Sequence, residues 1–334
     1  MSKFDTQLTE AKWQPLNGKT DPFDLLSSVT GHIGDAQGML EESGVLGWQP
    51  EMIPLSGMDS RGNIYDVPDS AQGIVVPQFP GGPALFGQAH KDFKFIRPEE
   101  LIPLVDAIVA HGNPLTGVMP GPVTRLFFDS KSVDMTDGVS PSVGDIVKFR
   151  WHLRLGNTGK NSLKIGQSGV RLICSNGMTT DETMGAVSIQ HSSLAPQKID
   201  ATVSRILAAG DIGLEKWIED ARKLISTRLS QSDANLMWAK IFDWRDDKEK
   251  NALTIQENQQ SALNGLWGSN TQTTTYPETG WAFFNATTEY LDHLSRVHTG
   301  GASREVALAR RVVEGNAPMD AKKNQAWKMA LALA

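Results

Sequence analysis

The chain has 334 residues, 40% of them apolar and 21% charged, with a formal net charge of −6. That length and balance allow a sizeable core and exclude a disordered or fibrous chain. Cys174 is the only cysteine, no run of 18 apolar residues occurs, and no apolar stretch follows Lys3, so disulfides, a membrane span and an export signal are not expected, and a reducing, cytoplasmic location is.

Residues 1–80 are rich in Gly, Pro, Asp and Ser with little periodicity. They predict an irregular segment with at most a short helix, ordered by lying against another surface such as a partner subunit. Pro98-Glu99-Glu100 reads as a helix start, and Leu101, Leu104, Val105, Ile108 and Val109 follow at helical spacing. Val123–Phe128 reads as a strand. From Val147 to Leu155, apolar residues alternate strictly with Lys148, Arg150, His152 and Arg154, which puts the core on one side of a strand and the cations on the other. Gly156-Asn157-Thr158-Gly159 predicts a tight reversal, with Leu163–Ile165 and Gly169–Cys174 returning as strands. Beyond Pro196 the chain is predicted helical: Trp217, Ile218, Ala221, Leu224 and Ile225 form one stripe, and Leu236, Met237, Ile241 and Phe242 form another behind a Ser232-Asp233 cap. Further helices fit 249–266, 279–297, 302–314 and 319–333. The expected fold class is α+β, a small mainly antiparallel sheet with a packed helix followed by a helical C-terminal half. Its expected parts are an N-terminal segment (1–80), a core with a basic β-hairpin (81–200) and a helical region (201–334).

Three constellations suggest chemistry, and each has a simpler reading. Gly156–Ser162 has the look of a phosphate-binding loop, but it is too short between its glycines and leads into a strand where such a loop needs a helix. Cys174 lacks a positioned base nearby in sequence and reads as a structural thiol. Glu289, Asp292 and His293 share a helix face, with His298 beyond, yet nothing supplies a second half of a metal site, so a polar face is the reading adopted. No catalytic centre, metal or cofactor is expected.

Val170–Met178, in which an apolar-Arg-apolar strand ends in Cys174-Ser175-Asn176, resembles the hallmark of the phage- and plasmid-encoded family known as domain of unknown function (number 932). Phe86–Phe93, Ile189–Ser192 and Trp281–Tyr290 are similar to further motifs of that family, in the same order. Phe93 stands where the family has Tyr, and Gln190 where it has Arg. The resemblance covers roughly residues 85–295 and implies a mobile-element setting of genome maintenance, recombination or defence.

Charge is uneven along the chain: −9 over residues 1–144, +5 over 145–180 and −2 over the rest. Residues 146–180 contain no Asp or Glu, so whatever neutralises them is remote in sequence or another molecule. A face carrying Lys148, Arg150, His152, Arg154, Lys164 and Arg171, with Lys160 in the turn, suits a sugar-phosphate backbone. The expectation is a non-enzymatic single-stranded DNA-binding protein of a bacterial phage or mobile element. It would promote strand annealing in recombination as the Redβ and RecT types do, and assemble as a homo-oligomeric ring or filament. That likeness is at fold level only. The rival expectation is an accessory or counter-defence protein that binds a host protein through its acidic N-terminal segment.

Overall fold

A computed structural model describes residues 22–27, 29–30, 36–67, 71–79, 82–135, 146–171, 176–178, 187–245, 250–267, 276 and 278–334. The first half runs α1 (Pro22–Leu26), β1 (Val29–Thr30), α2 (Ala36–Glu42), β2 (Glu51–Pro54), β3 (Ser56–Met58), β4 (Ile64–Asp66), β5 (Gln72–Val76), β6 (Ala84–Ala89), a 3-10 turn at Pro98–Leu101 and α3 (Ile102–Ala110). Strands β7 (Leu115–Met119), β8 (Val123–Asp134), β9 (Ile146–Gly156), β10 (Leu163–Arg171), β11 (Asn176–Met178) and β12 (Val187–Ile189) follow. The described helices after them are α4 (Ala195–Ser226), α5 (Gln231–Phe242), α6 (Lys250–Trp267), α7 (Gly280–Glu289) continued by a π-helical turn (Tyr290–Leu294), α8 (Arg304–Glu314) and α9 (Ala317–Leu331). The fold is α+β, as the sequence predicts. None of these helices is long and apolar enough to cross a membrane.

The main sheet is antiparallel throughout, in the order β1-β7-β8-β9-β10-β11, and β12 shares the outer edge of β10 with β11. Alternation in β9 sends Val147, Phe149, Trp151, Leu153 and Leu155 to one side, where all are buried. This single strand feeds two cores. Trp151, Leu153 and Leu155 join α2, α3 and the small sheet in one, while Val147 and Phe149 join the helical half in the other. The 32-residue helix α4 runs across the same boundary, giving Ile199 and Ile206 to the first core and Leu214, Trp217, Ala221 and Leu224 to the second. The two long elements are knotted at one point: Gln167, with its amide turned to suit both neighbours, donates to Gly210 O (3.1 Å) and accepts from Trp151 Nε1 (2.8 Å). Within the second core Trp217 stacks on Trp327 at 5.4 Å and meets Phe149 edge-on at 5.1 Å.

The described part of the N-terminal segment is better structured than its composition predicts. Met39, Leu40, Val45, Trp48, Ile74 and Val76 all enter the first core, so these described residues are ordered against the chain's own interior. The junction expected at 80/81 falls between β5 and β6, which pair with one another, and the one at 200/201 falls inside α4. Elsewhere the differences are local. Ser230, not Ser232, caps α5 by accepting from Asp233 N (3.2 Å), and Leu236 points to solvent. A separate two-stranded hairpin, β3–β4, carries Met58 (74% exposed) and Ile64 (72%) opposite each other.

Candidate nucleic-acid interface

The strict alternation in β9 places Lys148, Arg150, His152 and Arg154 on one face, but that face is not open. Helices α1 and α8, from opposite ends of the chain, pack together over it, and Phe23, Phe127, Val312 and Val313 form a small core there. Arg150 is only 3% exposed and His152 7%. The Arg150 guanidinium lies 4.6 Å from the centre of the Phe23 ring, and Phe23 also contacts His152 (5.3 Å) and Phe127 (5.1 Å). The expected flat, solvated cationic face is therefore corrected: alternation sorts residues between faces, but cannot say what covers each face.

The counter-ion is Asp129. It sits on β8 directly opposite Arg150 and holds Arg150 Nε at 2.9 Å and Lys148 Nζ at 2.5 Å. Burial opposes its ionisation, yet Arg150 and Lys148 outweigh that and keep its carboxyl below the usual range. The alternation of β8, with Arg125, Phe127 and Asp129 in phase, was the signal that could have revealed it. His152 is held neutral. Burial is the main cause, and Arg154, Arg150 and Arg125 add repulsion, so its pKa lies well below the ordinary value.

What remains accessible lies toward the hairpin end of the strand. Arg125, Arg154 and Lys164 are direct cross-strand partners on β8, β9 and β10, a row of three like charges. Arg125 is half-buried, with Nη1 donating to Val123 O (3.0 Å), and burial lowers its pKa while Glu314 at the end of α8 partly compensates. Arg154 is half-buried and Lys164 exposed, and among the described residues neither has an ion-pair partner. Lys160 is exposed in the reversal between β9 and β10, which is a hairpin turn and not a phosphate loop. Arg125 was missed from the sequence because its neighbours show only a short apolar strand. Arg171 pairs with Val147 and Asn176 through its backbone; its side chain and Cys174 lie outside the described residues.

The hairpin neck gathers three segments far apart in sequence. Gly159 (φ +78°) allows the turn, and a Cβ there would lie 2.3 Å from Gln88 O, as one on Gly87 would lie 2.4 Å from Thr158 O. Only glycines permit β6 and the turn to approach so closely. His191 Nδ1 accepts from Ile96 N (3.2 Å), its ring lies 4.8 Å from that of Phe93, and the carbonyls of Lys94, Gly156 and Asn161 surround it. Burial lowers its pKa, consistent with a neutral ring bracing segment 94–96 against the neck.

The helix-face cluster of Glu289, Asp292 and His293 does not assemble as a metal site. Asp292 is fully buried in the π-helical turn and pairs with Lys323 Nζ at 2.6 Å. Beside it Arg311 donates to Leu291 O (2.7 Å), Ser295 Oγ (2.6 Å) and Arg296 O (2.6 Å). No group of three or more His, Cys, Asp or Glu suited to a metal occurs among the described residues.

No curated protein and no solved structure matches this chain. The family described as Domain of unknown function (DUF932) matches residues 86–313, a span that holds β6, the basic hairpin, the neck around His191 and the buried π-helical turn. With more than half of its length covered in one continuous match, the chain belongs to the DUF932 family.

Proposed function

We propose that the protein binds single-stranded DNA by its sugar-phosphate backbone and promotes annealing of complementary strands, without enzymatic chemistry, in the cytoplasm of a cell hosting a phage or other mobile element. One observation carries the reading: the row Arg125–Arg154–Lys164 across three adjacent strands. Like charges directly opposed on a sheet destabilise it, and a phosphate chain laid along the row would relieve that repulsion. Lys160 extends the surface past the turn. In this reading Arg150 and His152 belong to the interior, and Lys148 is held by Asp129, so the contact set differs from the whole β9 face. Annealing needs the backbone neutralised and the bases left free, for which cations suffice.

The test is fluorescence anisotropy of a labelled single strand over a salt series. Four phosphate contacts, each contributing about −0.7, give a slope of log affinity on log salt near −3. Arg154→Glu/Lys164→Glu should flatten the slope by about 1.4 and weaken binding, while Lys148→Gln should leave the slope unchanged. Affinity independent of salt, or a folded double variant that binds like the parent, overturns the proposal. A second reading, docking on a host protein, is favoured by the β3–β4 hairpin, where Met58, Ile64 and Tyr65 are exposed together. The same hairpin would serve self-assembly into a ring or filament, and light scattering of Ile64→Lys against the parent distinguishes a lost oligomer from a lost partner.

A further inference from the structure

The small sheet β2-β5-β6 is apolar on both of its faces. Ile74, Val76 and Phe86 enter the first core, but the opposite face does not carry the polar residues that usually meet water. Ile53 on β2, Val75 on β5 and Leu85 on β6 lie there, with Ile53 37% and Leu85 60% exposed. A Cβ on Gly73 would lie 2.9 Å from Leu55 Cδ2, 3.1 Å from Leu85 Cδ1 and 3.3 Å from Ile53 Cγ1, so these side chains converge over that glycine. Leu55 is also the root of the β3–β4 hairpin: its carbonyl accepts from Val67 N (2.9 Å), and the hairpin leaves the face from that point. Every residue of β3 and β4 is exposed, so the hairpin projects as an arm, with Met58 and Ile64 on one side and Tyr65 on the other. Its tip is nonetheless fixed, because the Asp59 carboxylate accepts from Arg61 N (2.8 Å), Asn63 N (2.9 Å) and Tyr65 Oη (3.2 Å). Of the eleven large apolar side chains exposed among the described residues, five belong to this arm and face, which sets the region apart from single exposed residues elsewhere.

We infer that this arm and this face dock on the same two features of a second copy of the chain, arm to face and face to arm, across a two-fold axis. Arm and face adjoin at Leu55, so a single two-fold contact covers both at once. The exposed parts of the five side chains amount to roughly 400 Å² of apolar surface per copy. Two copies would bury roughly 800 Å² of it, and because apolar atoms make up about 60% of such contacts, the whole interface would be roughly 1,300 Å², within the range of stable interfaces. A two-stranded hairpin is at best marginally stable in water, and a cover over its apolar sides supplies what its own sheet lacks. The inference rests on the self-assembly reading of the hairpin and narrows it, because a reciprocal contact closes at two copies and by itself makes neither a ring nor a filament.

The experiment is light scattering of the purified full chain at micromolar concentration, without nucleic acid. The parent should have the mass of two 36.4 kDa chains. Ile64→Glu on the arm and Leu85→Lys on the face change exposed side chains, so each variant should keep the parent's circular dichroism, and each alone should scatter as a monomer. An equal mixture of the two should return to the dimer mass, since one arm-to-face contact then carries a Glu–Lys pair and the other is native. A monomeric parent overturns the dimer and the self-assembly reading together, and leaves the surface to a host protein. A parent larger than a dimer overturns the reciprocal contact, while self-assembly through the hairpin stands if Ile64→Glu lowers the mass. Variants that stay dimeric, or a mixture that stays monomeric, overturn the arm-to-face pairing. Should Ile64→Glu lose its fold, Met58→Glu takes its place on the same side of the arm, with the same outcomes expected.

Discussion

Replacing Gly210 by alanine tests the point where strand β9 and helix α4 cross. In an exposed helix interior that change stabilises by about 1 kcal/mol, because alanine restricts the unfolded chain and favours the helix. Here a Cβ would lie 2.2 Å from both Cη2 and Cζ2 of Trp151, more than 1 Å inside the 3.4 Å limit of ordinary contact. The ring has little room to yield, since Trp151 is buried in the middle of the sheet and its Nε1 is held by Gln167. Overpacking of this kind costs up to about 3 kcal/mol, which leaves a net loss near 2 kcal/mol. For a chain of this size that corresponds to a melting midpoint lower by about 3 °C. Gly265→Ala in α6, where no atom lies within 4 Å, should instead gain up to about 1 kcal/mol. Trp151→Phe removes the two atoms that clash, so the double variant Gly210→Ala/Trp151→Phe should be less destabilised than the sum of the singles. The crossing is misjudged if Gly210→Ala proves as stable as the parent, or if the double variant is strictly additive.

The remaining expectations concern buried charge. His152 and His191 both titrate below their unfolded value, so the unfolded chain binds more protons once the pH falls below about 6.5. Stability is then full above that pH and declines as the pH drops toward the folded values, by up to about 1.4 kcal/mol per group per pH unit. Denaturant midpoints at pH 7.5 and 5.5 would show this, and His152→Gln should reduce the difference; equal midpoints for the parent would contradict it. Asp129→Asn removes the carboxylate from Lys148 and from the buried Arg150 and should lower stability by about 3 kcal/mol, a value that urea titration at neutral pH would check. Lys323→Met takes the ammonium from the fully buried Asp292 and should cost a similar amount, whereas adding Asp292→Asn should recover part of the loss; a milder single than double variant would show that the pair is not coupled.

Much of the architecture can be read from periodicity, since β9, the β9–β10 reversal and most of the helical stripe residues rest on local patterns that the folded chain keeps, Leu236 being the exception. Trp217, Ala221 and Leu224 are buried at their predicted spacing. The N-terminal segment was harder to read because its core residues come singly, as with Val45 and Trp48, between glycines and prolines that mask any period. The candidate interface was half legible. Which residues share a face follows from the alternation of one strand, but the small core over that face joins Phe23, which lies against Arg150, to Val313, nearly the full length of the chain away. Asp129 shows the same limit: alternation in β8 puts it on one face with Arg125 and Phe127, but its place opposite Arg150 follows only from the β8–β9 register.

The roof made by α1 and α8 also has a consequence in time. On the ribosome about 280 residues separate the emergence of its first helix from that of its second, roughly 15 to 55 s at ordinary synthesis rates. During that interval β8 and β9 can pair while Phe127, Arg150 and His152 still lack half of their cover. The unfinished chain is thus more cationic at its surface than the finished one, and it sits beside ribosomal RNA. A product terminated before Arg304 would keep that face open, and should be held by nucleic acid in a way that the complete, roofed protein is not.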